Sequence, residues 1–128
     1  MATLTEMQKE INNVWSLALE HEAAIDKQHD VLSRLIEIRG ELDHIKTTIA
    51  VHEAEIRVAG LDGKNDRERE AHFLLACEAD EILVALYRQQ QHYVRVRAEA
   101  ERDLRIVEER IRLYGRLLRV IEYGNGQL

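Results

Sequence analysis

The feature that most constrains this chain of 128 residues is that it contains no proline and breaks strongly at one place only, "AGLDGKNDREREAH", residues 59–72. Without proline, a helix stops where glycine and turn residues cluster. Gly60 suits the left-handed position that closes a last helical turn, and Asp62-Gly63 reads as a turn. Asn65 is a good N-cap, with Glu68 three residues on. Asp66 and Glu68 favour the positive end of a helix dipole. The pattern predicts a first helix over about 4–59, a turn over 60–65 and a second helix over about 66–123. Each would be about 55 residues and about 80 Å long at 1.5 Å per residue. A short connection makes two helices antiparallel neighbours. The expected fold is all-α: one domain, 1–128, forming a long two-helix hairpin with coiled-coil packing.

Periodicity supports this reading. Thr3-Leu4-Thr5-Glu6 fits a capping box. Leu4, Met7, Ile11, Val14, Ala18 and Ile25 then form one apolar stripe. Leu35, Ile38, Leu42, Ile45, Ile49, Ile56 and Ala59 form a second, with His52 in step. Leu32, Leu35 and Ile38 follow by threes, the spacing of a stammer that overwinds a coiled coil. The intervening polar "LEHEAAIDKQHD" allows a kink near residues 20–30, although a continuous helix is the simpler expectation. In the second half, Leu86, Tyr93, Ala100, Val107, Tyr114 and Ile121 stand seven apart. So do Leu83, Gln90, Arg97, Leu104, Ile111 and Leu118. These are a and d positions of a heptad seam. Gly115 is its weak point, and Gly124-Asn125-Gly126 is expected to end it.

The apolar pattern is wider than one seam needs. Ile106, Leu113, Leu117 and Val120 flank the C-terminal stripe, and Trp15, Leu17 and Leu19 add bulk near the start. Leu75, Ile82 and Val96 make a further partial stripe. Extra flanking positions imply more than two helices in contact. The hairpin is therefore expected to assemble into a four-helix bundle or larger homo-oligomer, with those first seven residues at the interface.

Composition narrows the function classes. Aromatics are 5% and charged residues 33%, which favours long helices over a compact globule. The net charge of −6 argues against coating nucleic acid through bulk charge. Arginine nevertheless gathers late, at 102, 105, 110, 112, 116 and 119, and reads first as a solvated face with intrahelical ion pairs. Cys77 is the only cysteine, so no intrachain disulfide or cysteine-based zinc site is available. With no signal-peptide pattern and no long apolar run, the expected setting is cytoplasmic and away from membranes.

Candidate chemistry is sparse. Asp26 with His29, and Glu41 with His44, have the acid-x-x-His spacing that di-iron bundles place inside four helices. The second helix lacks that motif, and surface helices produce it by chance. His52, Gln28, Gln90 and Arg97 read as seam residues that set register, and Cys77 as a small core residue. "GLDGKNDRERE" lacks phosphate-loop spacing, although Lys64, Arg67 and Arg69 near a helix start suit an anion. No catalytic, metal-ligating or cofactor-binding residue is assigned and no cofactor is expected.

The run "GKNDREREAHFLLA", residues 63–76, followed by "AEAERDLRIVEERIRLYGRLLRV", residues 98–120, resembles small uncharacterised phage and prophage proteins. Those carry a Gly-Lys-Asn stretch before a coiled coil, often near recombination and replication genes. The resemblance covers about residues 60–122 and departs from the pattern at His72-Phe73. It implies that Gly63, Lys64, Asn65 and Arg67 serve more than the turn. The resulting expectation is a non-enzymatic interaction or scaffold protein of phage type. Its docking tip for an unidentified protein partner would be Asp62, Gly63, Lys64, Asn65, Arg67 and Arg69. The alternatives are an accessory nucleic-acid binder using the tip and late arginines, and a metal-dependent enzyme on Asp26, His29, Glu41 and His44.

Overall fold

The computed structural model describes residues 3–126, the side chains of 123, 125 and 126 excepted. It is all-α, with α1 at Leu4–Val58, α2 at Asp66–Ala79 and α3 at Glu81–Gly126. α1 and α3 lie antiparallel in close contact. α1 begins with the capping box. Thr3 N–H donates to Glu6 Oε2 at 3.1 Å, and Glu6 N–H to Thr3 Oγ1 at 3.2 Å. It then runs unbroken through residues 20–30 and the stammer. It closes with Gly60 at φ 102, whose N–H reaches Arg57 O at 3.3 Å.

One expectation fails. The second helix is not continuous over 66–123: it breaks at Asp80, giving three helices rather than two. Asp80 is extended (φ −84, ψ 111), and its N–H ends α2 on Cys77 O at 3.2 Å. Its carboxylate starts α3 by accepting Leu83 N–H at 3.0 Å. The break has a packing cause. Carried backwards by sevens, the seam residues Leu83 and Leu86 would turn Ala76 and Ala79 inward. The interruption rephases the chain so that Phe73 and Cys77 are buried instead. α3 runs on through Gly126, past the expected end.

The chain divides into two compact units: residues 1–34 with 100–128, and Leu35–Glu99. The second has a full core. Ile45, Ile49, Phe73, Cys77 and Leu83 are buried together, with Ile56, Leu61, Leu86, Tyr87 and Tyr93 packed around them. Leu35, Ile38 and Leu42 are buried too, and Leu83 is drawn from three elements' meeting point.

The first unit is built the other way. Its buried hydrophobic residues are small: Ala24, Val31, Ala100 and Val107. Half-buried Val14, Leu17, Ala18, Leu104, Ile111 and Leu118 complete the seam, and Gly115 lies opposite His21. Small residues let helices approach closely but remove little apolar surface from water.

Candidate functional site

Two regions hold the residues that the sequence singles out: the bend in the second unit and the outer flanks of the first.

The bend is built by its own side chains. Asn65 Oδ1 accepts Glu68 N–H at 2.9 Å, and Glu68 Oε2 accepts Lys64 N–H at 2.7 Å. An amide oxygen and a carboxylate thus occupy the Glu68 and Lys64 N–H groups at the start of α2. Arg69 donates to Asp66 Oδ1 at 2.7 Å. Gly63 has φ 149, and a Cβ there would lie 2.7 Å from Arg69 N. Gly63, Asn65 and Arg69 are therefore accounted for by the turn. Asp62 contributes its N–H to His72 Nδ1 at 2.9 Å. Lys64 and Arg67 are exposed, and their side chains make no hydrogen bond or ion pair among the described residues.

The sequence reading missed the residues that pack this bend. His72 holds the loop, and Phe73 is buried beneath Arg57, whose guanidinium carbon sits 3.6 Å from the ring centroid. Arg57 also reaches Glu70 at 3.4 Å. Tyr87 O–H donates to Glu53 Oε1 at 2.6 Å across 34 positions in sequence. His72-Phe73 is the pair that departs from the resembled pattern, and that departure was the available signal. Nothing periodic marks Glu53 with Tyr87.

This cluster is arranged for packing rather than for nucleophilic attack. The hydrogen bond to Glu53, and then burial, raise the Tyr87 phenol above its ordinary range. Burial pushes the Cys77 thiol up. A buried thiol held protonated is a poor nucleophile. Groups with raised folded-state pKa lend stability that is full below their ordinary values and is lost as pH rises through the raised ones. Stability is therefore expected to fall from about pH 9–10 upward. Chemical denaturation between pH 7 and 11 should show that slope, and Tyr87→Phe should flatten it.

His52 is half-buried and sits 3.6 Å from Glu55, an ion pair when the imidazole is protonated. Asp26, His29, Glu41 and His44 are all exposed. Among the described residues, no three His, Cys, Asp or Glu side chains gather in a metal-holding group.

In the first unit several large apolar side chains are exposed. Trp15 is 68% exposed, Ile11 61%, Leu113 53% and Val120 69%, with Leu19, Ile106 and Leu117 also exposed. Leu17 differs from the expectation: it is half-buried, on the seam side of α1. An open groove of about 900 Å3 lies beside Met7, Ile11, Val14, Trp15 and Ile121. The six late arginines are exposed, and none joins an ion pair among the described residues, contrary to the expected intrahelical pairing. Glu22, Asp26 and Asp30 on α1 are likewise exposed and unpaired among the described residues.

No helix among the described residues is long and apolar enough to cross a membrane. Comparison with family models, with curated proteins and with solved structures gives no match.

Proposed function

We propose that this chain is a non-enzymatic helical interaction protein that self-assembles through its first unit and serves as a scaffold or adaptor. The carrying observation is the burial pattern there: the fully buried hydrophobic residues are alanine and valine, while the only tryptophan and several Leu, Ile and Val are exposed. Exposed apolar area of that extent marks an interaction surface. Covering four such side chains contributes roughly 6–12 kcal/mol before the entropic cost of association. Sedimentation velocity at micromolar concentration should give a dimer or larger species, and a strict monomer overturns the reading. The bend serves as the docking tip for a protein partner, with Lys64 and Arg67 as its uncommitted charges. The phage-type setting rests on the resemblance of residues 63–76 and 98–120.

A second reading has one observation in its favour, the six late arginines of α3 (102, 105, 110, 112, 116 and 119), exposed and with no ion pair among the described residues. It makes the protein an accessory nucleic-acid binder. Phosphate contacts must strengthen at low salt, so absence of DNA binding at low ionic strength removes it.

A further inference from the structure

The outer side of α3 in the first unit carries arginine in two adjoining rows. Arg105, Arg112 and Arg119 come one step after the seam residues Leu104, Ile111 and Leu118, and Arg102 and Arg116 come two steps after Ala100 and Tyr114. In a heptad these positions turn away from the partner helix. All five arginines are exposed, and none joins an ion pair among the described residues. Glu109 is the single acid in the two rows over residues 102–119. Glu101, Asp103 and Glu108 stand beside the seam instead.

Solvation alone does not call for such a face. A solvated helix alternates signs at three- and four-residue steps and gains a few tenths of a kcal/mol per pair. Here Arg102 stands one turn from Arg105, and Arg116 one turn from both Arg112 and Arg119. Like charges at those steps repel, and an anionic polymer laid along the rows relieves the repulsion. The late cations are all arginine, since no lysine follows Lys64. Arginine's planar fork takes two phosphate oxygens at once, where lysine offers a point charge.

We infer that this outer face of α3 binds the phosphate backbone of double-stranded nucleic acid without reading its bases. The inference rests on the second reading above and names its surface and its partner. Arg112, Arg116 and Arg119 span about 10 Å at 1.5 Å per residue, a length over which one strand of a duplex presents about three phosphates. Proteins that hold single strands stack the bases on aromatic rings, and neither row holds an aromatic residue over 102–119. A duplex also carries the denser charge, one per about 1.7 Å of axis. The net charge of −6 is carried elsewhere, since residues 110–121 hold four arginines and no acid.

Charge removal at two places tests the surface. One variant carries Arg112→Gln, Arg116→Gln and Arg119→Gln. The control loses the same charge through Arg39→Gln, Lys46→Gln and Arg67→Gln, at exposed positions of the second unit. Binding of a short labelled DNA duplex is titrated between about 50 and 200 mM salt. The first variant should flatten the slope of log affinity against log salt by about 2.7, that is 0.9 for each of three phosphate contacts. The control should keep the slope. In a urea titration the first variant should be at least as stable as the unaltered chain, because repelling arginines give way to glutamines of similar helix propensity. Lower stability would make the arginines structural and overturn the inference. Duplex binding whose slope is unchanged in the first variant, or falls equally in the control, overturns it and leaves the second reading standing, as does tighter binding of a single strand of the same length. Displacement of the duplex by polyglutamate as readily as by unlabelled duplex assigns the face to an acidic protein and overturns it too. No binding of either strand form at low salt removes the second reading itself.

Discussion

Leu83→Ala should be the most damaging single substitution in the second unit, lowering stability by about 3–4 kcal/mol. Leu83 has no exposed surface and packs with Ile45, Ile49, Phe73 and Cys77. Truncation removes the transfer energy of the side chain and leaves a cavity. The cavity cannot close easily, because Asp80 holds the Leu83 N–H on one side and α1 backs the other. The thermal midpoint should drop by roughly 10–15 °C for a chain of this length. Leu75→Ala, at a position 64% exposed, should change stability by less than about 0.5 kcal/mol. Both belong at one fixed protein concentration, since self-assembly as proposed would raise the midpoint. A Leu83→Ala midpoint within a degree or two of the unaltered chain would contradict the core as described.

Gly63→Ala should cost about 2–4 kcal/mol, against about 1 kcal/mol for Gly60→Ala. Both glycines have positive φ, but they differ in surroundings. Nothing stands within 4 Å of a Cβ built at Gly60, whereas one at Gly63 meets Arg69 N at 2.7 Å and Glu68 C at 2.9 Å. Those atoms are helix backbone. Making room would pull at the bond from Arg69 N–H to Asn65 O, 3.0 Å long, and at the Asn65 cap. Paired urea titrations check the difference, and equal costs would mean that the turn relaxes freely.

The bend and the three-residue grammar of its caps were legible because they are local: Gly60, Gly63, Asn65 and Glu68 act on neighbours a few positions away. The α1–α3 pairing was legible because Leu83 to Leu118 and Leu86 to Ile121 repeat by sevens. The break at Asp80 was not seen, since aspartate inside a charged helix looks ordinary. Its trace was indirect: the heptad series stops at Leu83, and only alanines lie one repeat behind. The outward flanks were anticipated from excess apolar positions, but Leu17 was placed among them although it turns toward the seam. The Tyr87–Glu53 bond joins distant positions through tertiary packing alone, which no periodicity encodes.

The break at Asp80 has a kinetic consequence. α2 is a short segment, 14 residues long, whose buried side chains are Phe73 and Cys77. Short helices have little stability of their own and depend on what they dock against. α2 is therefore expected to open before the long helices unwind. Such an opening would bare the chain's sole thiol, buried at Cys77, so capture of Cys77 by a small alkylating reagent faster than global unfolding is the expected result, and capture only at the global unfolding rate would contradict it.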